Sequence, residues 1–112
     1  MQKIEAIIRP FKLEQVNEVL SAKGIEGATV SEVRVHSWHK ANGDVYRGPS
    51  YLEAFAPMIK LELVLADEQA SETITAILDA AKTGRFGDGK IFVSPIIDAI
   101  RIRSGEHGLN AV

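Results

Sequence analysis

Apolar and polar residues alternate along several stretches of this chain, and two other stretches carry apolar residues at helical spacing. In residues 3–9, KIEAIIR, the positions Ile4, Ala6 and Ile8 alternate with Lys3, Glu5 and Arg9, the period of a half-buried strand. Pro10 closes that run. From Lys12 the period lengthens: Leu13, Val16, Val19 and Leu20 form one apolar helical stripe, and Gly24 is placed to stop the helix. Residues 28–35, ATVSEVRV, carry β-branched side chains along a second strand. Residues 59–65, IKLELVL, alternate cleanly, with Ile59, Leu61, Leu63 and Leu65 on one side and Lys60, Glu62 and Val64 on the other. Asp67 then reads as an N-cap for a helix carrying Ala70, Ile74, Ile77, Leu78 and Ala81, ended by Gly84. A strand over Ile91–Val93, broken by Pro95, and an alternating run AIRIR at 99–103 complete the series, and the tail SGEHGLNAV (104–112) reads as loose.

The order is strand, helix, strand, strand, helix, strand, with one extra short strand. Two βαβ halves imply an α+β, ferredoxin-like βαββαβ fold: one antiparallel sheet covered on one face by two helices, its other face solvated or packed on a partner. Between the halves lies a polar interval, about 36–57, with four of the seven aromatics (Trp38, Tyr46, Tyr51 and Phe55). Loops this long are uncommon in small domains and tend to be functional, and a plain linker is poor in aromatics. The interval therefore reads as a loop that closes on, or inserts into, something.

Length and charge narrow the field. At 112 residues one domain, 1–112, is expected. A net charge of −2 argues against bulk electrostatic binding to nucleic acid or to an anionic membrane. With no cysteine, disulfides and thiolate zinc sites are excluded, and a cytoplasmic location is permitted. No apolar run is long enough to span a bilayer, and the N-terminus lacks the apolar core of a signal peptide.

Four constellations carry candidate chemistry. The stretch TGRFGDGKIFV (83–93) is bare of side chains just before a strand, and GDGK with Arg85 allows two readings. One is an anion cradle of exposed N–H groups with Lys90 and Arg85 as charge; the other is a helix C-cap followed by a tight turn. It is not a Walker A loop, because Lys90 opens a strand rather than a helix. Alternation would put Arg101 and Arg103 on one face of one strand, as a solvated edge or as an anion site, with Glu62 on its own strand placed to pair with one of the two arginines. Taken with GDGK, these cations favour a nucleotide phosphate site. In YRGPSY, Tyr51 reads either as a residue packed in its loop or as one presented to a modifying enzyme. In HSWHK, His36 and His39 could share a metal with a nearby carboxylate such as Asp44, but without a third placed ligand the favoured reading is that they face solvent or lie near a ligand, and no metal site is assigned. No Ser-His-Asp order or paired acid points to catalysis.

At these residues the chain resembles the PII signal-transduction proteins, the regulators of nitrogen metabolism. The resemblance runs from IEAIIRPFKLEQV through TGRFGDGKIFV to RIRSGEHG, essentially the full length. It implies a homotrimer with adenine nucleotides, ATP or ADP, in the clefts between subunits, magnesium accompanying ATP, and a long T-loop between the second and third strands that docks on a transporter such as an ammonium transporter, or on a metabolic enzyme. By position, it implies that Thr29, Glu62 and Val64 line the adenine end and that Ser37 and Trp38, at the loop base, also line the nucleotide site. Gly87, Asp88, Gly89 and Lys90 would meet the phosphates from one subunit, and Arg101 and Arg103 from its neighbour. Arg47 matches the loop-tip arginine, and Tyr51 the tyrosine that is uridylylated in some members; Pro49 and Ser50 replace the small and acidic residues usual before it.

Departures cluster at the loop base. Ser37 stands where the family has a glycine, Trp38 where it has an arginine, and His39 where it has the glutamine that ligates magnesium in the complex with ATP and 2-oxoglutarate. Met58 replaces the lysine that pairs with 2-oxoglutarate. A thioether cannot pair with a carboxylate, and losing such an ion pair in a cleft costs on the order of 2–5 kcal/mol. The expectation is that nucleotide binding survives and that 2-oxoglutarate binding is weakened or lost. The alternative is a PII-like sensor outside nitrogen control, linked to AMP, bicarbonate or a metal and regulating another transporter. A third class, a slow nucleotide hydrolase, would show turnover of bound nucleotide.

Overall fold

A computed structural model describes residues 1–36 and 55–112. Six regular elements follow one another: β1 (Gln2–Ile8), α1 (Leu13–Ala22), β2 (Thr29–His36), β3 (Phe55–Leu65), α2 (Asp67–Ala81) and β4 (Lys90–Pro95), with 3₁₀ turns at Pro10–Lys12 and Gly108–Ala111. The strands form one sheet in the order β2-β3-β1-β4, and every neighbouring pair is antiparallel. This is the ferredoxin-like α+β arrangement that the alternation predicts.

The register explains the core. Ile4, Ala6 and Ile8 of β1 stand opposite Leu63, Leu61 and Ile59 of β3, so both apolar sets reach the same face. There they pack with Val16 and Leu20 of α1 and with Ile77 and Ala81 of α2. Burying one such Ile or Leu side chain contributes about 1.5–3 kcal/mol. Helix α1 ends as its sequence predicts: Gly24, at φ 77°, donates its N–H to Ser21 O, and the Ile25 N–H reaches Leu20 O, the paired bonds of a Schellman cap. Among the described residues no helix is long and apolar enough to cross a membrane.

Several expectations are corrected. Ala66, in extended conformation, is the N-cap of α2; Asp67 is its first residue, where its charge and that of Glu68 favour the positive end of the helix dipole. Leu78 is half exposed rather than part of the packed stripe. The interval between β2 and β3 is shorter than 36–57, because His36 and Phe55 already pair across the ladder and their rings stack with centroids 4.7 Å apart. Pro57 is tolerated inside β3 because β1 pairing begins only at Ile59, so one side of the strand at Pro57 carries no β1 neighbour. β4 likewise runs through Pro95, which ends an edge strand.

The largest correction concerns 99–103. These residues are not a strand. The chain folds back on itself: Ile100 bridges to His107, the Arg101 N–H donates to Glu106 O at 2.9 Å, and the Gly105 N–H to Arg101 O at 2.7 Å. Local turn bonds therefore override the alternation. The stretch after 104 is not featureless either, since it holds the returning half of this turn and the 3₁₀ segment Gly108–Ala111.

Candidate functional site

Two ends of elements meet at the glycine-rich stretch. β4 pairs with β1 so that Lys90 stands opposite Ile7, and the turn before β4 lies beside Arg9, the residue after β1 ends. The hub is Asp88. Its carboxylate accepts hydrogen bonds from the backbone N–H groups of Thr83 and Gly84, both at 2.9 Å, from the Thr83 hydroxyl, and from Arg9 Nε at 3.0 Å. Arg9 Nη2 also donates to Phe86 O at 2.6 Å. The Thr83 hydroxyl and backbone, with Arg9 and Gly84 N–H, hold the Asp88 carboxyl far below the usual carboxylate range. Asp88 therefore points its carboxylate into the turn and organises it.

Gly89 answers why the backbone is bare there. A Cβ on Gly89 would sit 1.7 Å from the Ile7 carbonyl oxygen, and its φ is 105°. Both the close approach of β1 and the dihedral demand glycine. The approach of β1 accounts for glycine at 89, and Lys90 and Arg85 carry the charge that an anion cradle would use. Among the described residues neither Lys90 nor Arg85 has an ion pair or a side-chain hydrogen bond.

The sheet face away from the helices carries the remaining groups. One row across the four strands is Thr29–Glu62–Glu5–Phe92, and the next is Ser31–Lys60–Ile7–Lys90. Val64 lies two residues along β3 from Glu62 and opposite Lys3. The structure therefore brings Thr29, Glu62, Val64 and Lys90 to one face. Glu62 does not pair with Arg101 or Arg103: it lies 3.0 Å from Lys3 Nζ and 3.4 Å from Lys60 Nζ, and Lys60 in turn reaches Glu5 at 3.2 Å. The hydrogen bond from Lys3, aided by Lys60, lowers the Glu62 pKa, and the bond to Glu5 leads those that raise that of Lys60. Met58 shares this face, is buried, and brings its Cε to 3.4 Å from where a Gly89 Cβ would be. An apolar side chain thus sits against the glycine turn.

Arg101 and Arg103 belong to a separate cluster, the turn 98–108. Arg101 Nη1 lies 3.9 Å from Glu106 Oε1, and Arg103 has no ion-pair partner among the described residues. The Asp98 carboxylate closes this turn. Ser37, Trp38, His39, Arg47, Pro49, Ser50 and Tyr51 lie outside the described residues. Among those that are described, no three His, Asp or Glu side chains gather as metal ligands. Arg9 and Thr83 are the residues shaping this turn that sequence reasoning passed over; their partner, Asp88, is 79 residues from Arg9, and no local pattern announces that contact.

The chain matches the family model described as nitrogen regulatory protein P-II over residues 1–106. It is 53% identical to nitrogen regulatory protein P-II of Rhizobium meliloti (strain 1021) and 50% identical to that of Pasteurella multocida (strain Pm70), covering 100% of both chains in each case. Its structure resembles that of Arabidopsis thaliana PII bound to citrate, with a TM-score of 0.79 and 39% identity over 99% of this chain and 91% of the other.

Proposed function

The chain belongs to the nitrogen regulatory protein P-II family, and on that premise we propose that it binds ATP or ADP in clefts between the subunits of a homotrimer and controls a target through the segment between β2 and β3. PII proteins are regulatory signal transducers that act on other proteins. The target class is a transporter of the ammonium-transporter kind or a metabolic enzyme, and the setting is the cytoplasm.

The observation that carries the nucleotide reading is the cation left over at the glycine turn. Asp88 is satisfied by Arg9, Thr83 and Gly84, so its charge is spent inside the turn. Lys90 opens the adjoining strand without an acid partner among the described residues. An anionic phosphate suits that residual charge. Thr29, Glu62 and Val64, on the same sheet face, are suited to the adenine end. Gly87 and Gly89 would carry backbone along the phosphates, and Ser37 and Trp38 would close the loop base.

The trimer is carried over from the family, and reach supports a second subunit at the site. Over Lys90–Pro95, at ~3.3 Å per residue, β4 carries the chain about 17 Å away from the glycine turn before the arginine turn begins. Arg101 and Arg103 therefore serve a phosphate beside Lys90 most directly from a second copy. Exposed apolar residues are concentrated in this region: Phe92, Val93, Ile97, Ile100, Ile102 and Leu109 are all at least 47% exposed in the single chain. Such a patch fits burial against another subunit.

Met58, packed apolar against the turn, underlies the expectation that 2-oxoglutarate binds weakly or not at all. Calorimetric titration with ATP, ADP and AMP, each with and without magnesium and 2-oxoglutarate, tests the whole reading. Binding of ATP or ADP with no further heat from 2-oxoglutarate supports it. Tight 2-oxoglutarate binding in the presence of magnesium-ATP overturns the part assigned to Met58 and His39, and absence of any nucleotide binding overturns the function.

A further inference from the structure

We propose that Asp98 is a positioning residue for Arg101 and Arg103, acting through the turn it closes rather than by touching a ligand. The inference rests on the nucleotide reading above.

Asp98 lies three residues beyond β4 and bonds both ends of the segment that follows. Its Oδ1 accepts the Ala99 N–H at 2.9 Å and the Gly108 N–H at 3.2 Å, while Oδ2 meets His107 Nδ1 at 2.9 Å. One carboxylate thus joins the amides of Ala99 and Gly108, nine residues apart in the chain. Inside this closure the Gly108 N–H donates to Ala99 O at 2.9 Å, Ile100 bridges to His107, and the Arg101 N–H donates to Glu106 O. Ser104 Oγ donates to Glu106 Oε1 at 2.8 Å, which holds that acid on the returning limb. Arg103 occupies the tip of the turn and Arg101 its first limb.

The apolar side chains of this segment do not hold it shut within one chain. Ile97 and Ile102 are fully exposed and Ile100 is more than half exposed. The polar bonds therefore define the turn, and Asp98 makes the only ones that clamp both its ends from a side chain among the described residues. If the turn opens, the two guanidiniums must be brought together again on binding. Apparent affinity then falls in proportion to the fraction of chains with the turn closed.

The experiment compares the unmodified protein with Asp98→Ala, Asp98→Asn and Arg103→Ala at pH 8. ATP affinity is read by calorimetry, and amide hydrogen exchange at Ala99, Arg101 and Gly108 by NMR. Asp98→Ala is expected to weaken ATP about tenfold, the effect of a closed fraction near one tenth, and to speed exchange at all three amides. Asp98→Asn keeps a carbonyl acceptor for the backbone amides and an amide group beside the His107 ring, so it restores both readouts. Arg103→Ala should weaken ATP with exchange unchanged, which separates contact from positioning. Unmodified ATP affinity in Asp98→Ala, or an Asp98→Asn variant as weak as the alanine, overturns the inference. If the unmodified protein binds no ATP, the nucleotide reading fails and the role of the arginines with it, even where exchange shows that Asp98 closes the turn.

Discussion

Arg9 and Asp88, 79 residues apart in sequence, meet at 3.0 Å and bind the end of β1 to the glycine turn before β4. The pair neutralises the one acid of that turn and lets its backbone be shaped by Thr83 and Gly84. If the two side chains act as one unit, Arg9→Ala and Asp88→Ala will not add: the double variant will be little less stable than the worse single one. A double-mutant cycle by thermal unfolding checks this, and additive losses would refute the clasp.

The same carboxylate predicts an acid limb in stability. The Asp88 pKa is depressed in the folded chain, chiefly by Thr83. The stability it contributes is therefore fully present above the unfolded value near 4 and is lost as pH falls below it. Glu62 and Asp98 are lowered as well and act in the same direction. Unfolding followed from pH 7 to pH 2 should show a stability gap between the native protein and Asp88→Asn that narrows below about pH 4 as the medium becomes acidic. A gap that stays constant would assign the loss to shape rather than to charge.

Gly89→Ala is expected to be among the most damaging single changes. The new methyl would lie 1.7 Å from the Ile7 carbonyl oxygen at a φ of 105°, so backbone must move. A loss of at least about 3 kcal/mol follows from combined strain and collision. Gly84→Ala, which meets nothing within 4 Å, carries only the dihedral penalty and should cost less. Denaturant midpoints for the two variants give the comparison directly.

Lys90→Ala should separate binding from stability. Because Lys90 has no side-chain partner among the described residues, the melting temperature should hardly move. ATP affinity should fall about ten- to hundredfold, the equivalent of one charge-assisted hydrogen bond of ~1.5–3 kcal/mol. A large loss of stability with intact affinity would place the lysine in the fold instead.

Met58→Lys tests the proposed loss of carbon sensing. Met58 is only 6% exposed and packs against the glycine turn, so a lysine there should cost at least about 1–3 kcal/mol in the ligand-free protein. With magnesium-ATP present, 2-oxoglutarate should bind more tightly than to the native chain, as read by calorimetry. Unchanged affinity would locate the difference at Trp38 or His39 rather than here.

Much of the sheet was legible because alternation states which face a residue takes. The run IKLELVL fixes Ile59, Leu61, Leu63 and Leu65 as core, and they are buried. The same logic misread AIRIR, since alternation does not reveal that Asp98 and His107 will draw the two limbs of a turn together. Lys90 was legible as a cation beside a glycine turn. The inward role of Asp88 was not, because it depends on Arg9 across a strand pairing that no local spacing encodes. Glu62 was read with the arginines for a related reason: its neighbours Lys3 and Lys60 become visible only with the β1–β3 register.

The stacked rings of His36 and Phe55 have a practical consequence for protein engineering. Because the ladder holds these residues side by side, whatever lies between them begins and ends at one fixed doorway. Closing a chain between anchored ends costs only about 0.6 kcal/mol for each doubling of its length. The body can therefore serve as a display scaffold, accepting peptides of very different size between positions 36 and 55 while its sheet register stays the same.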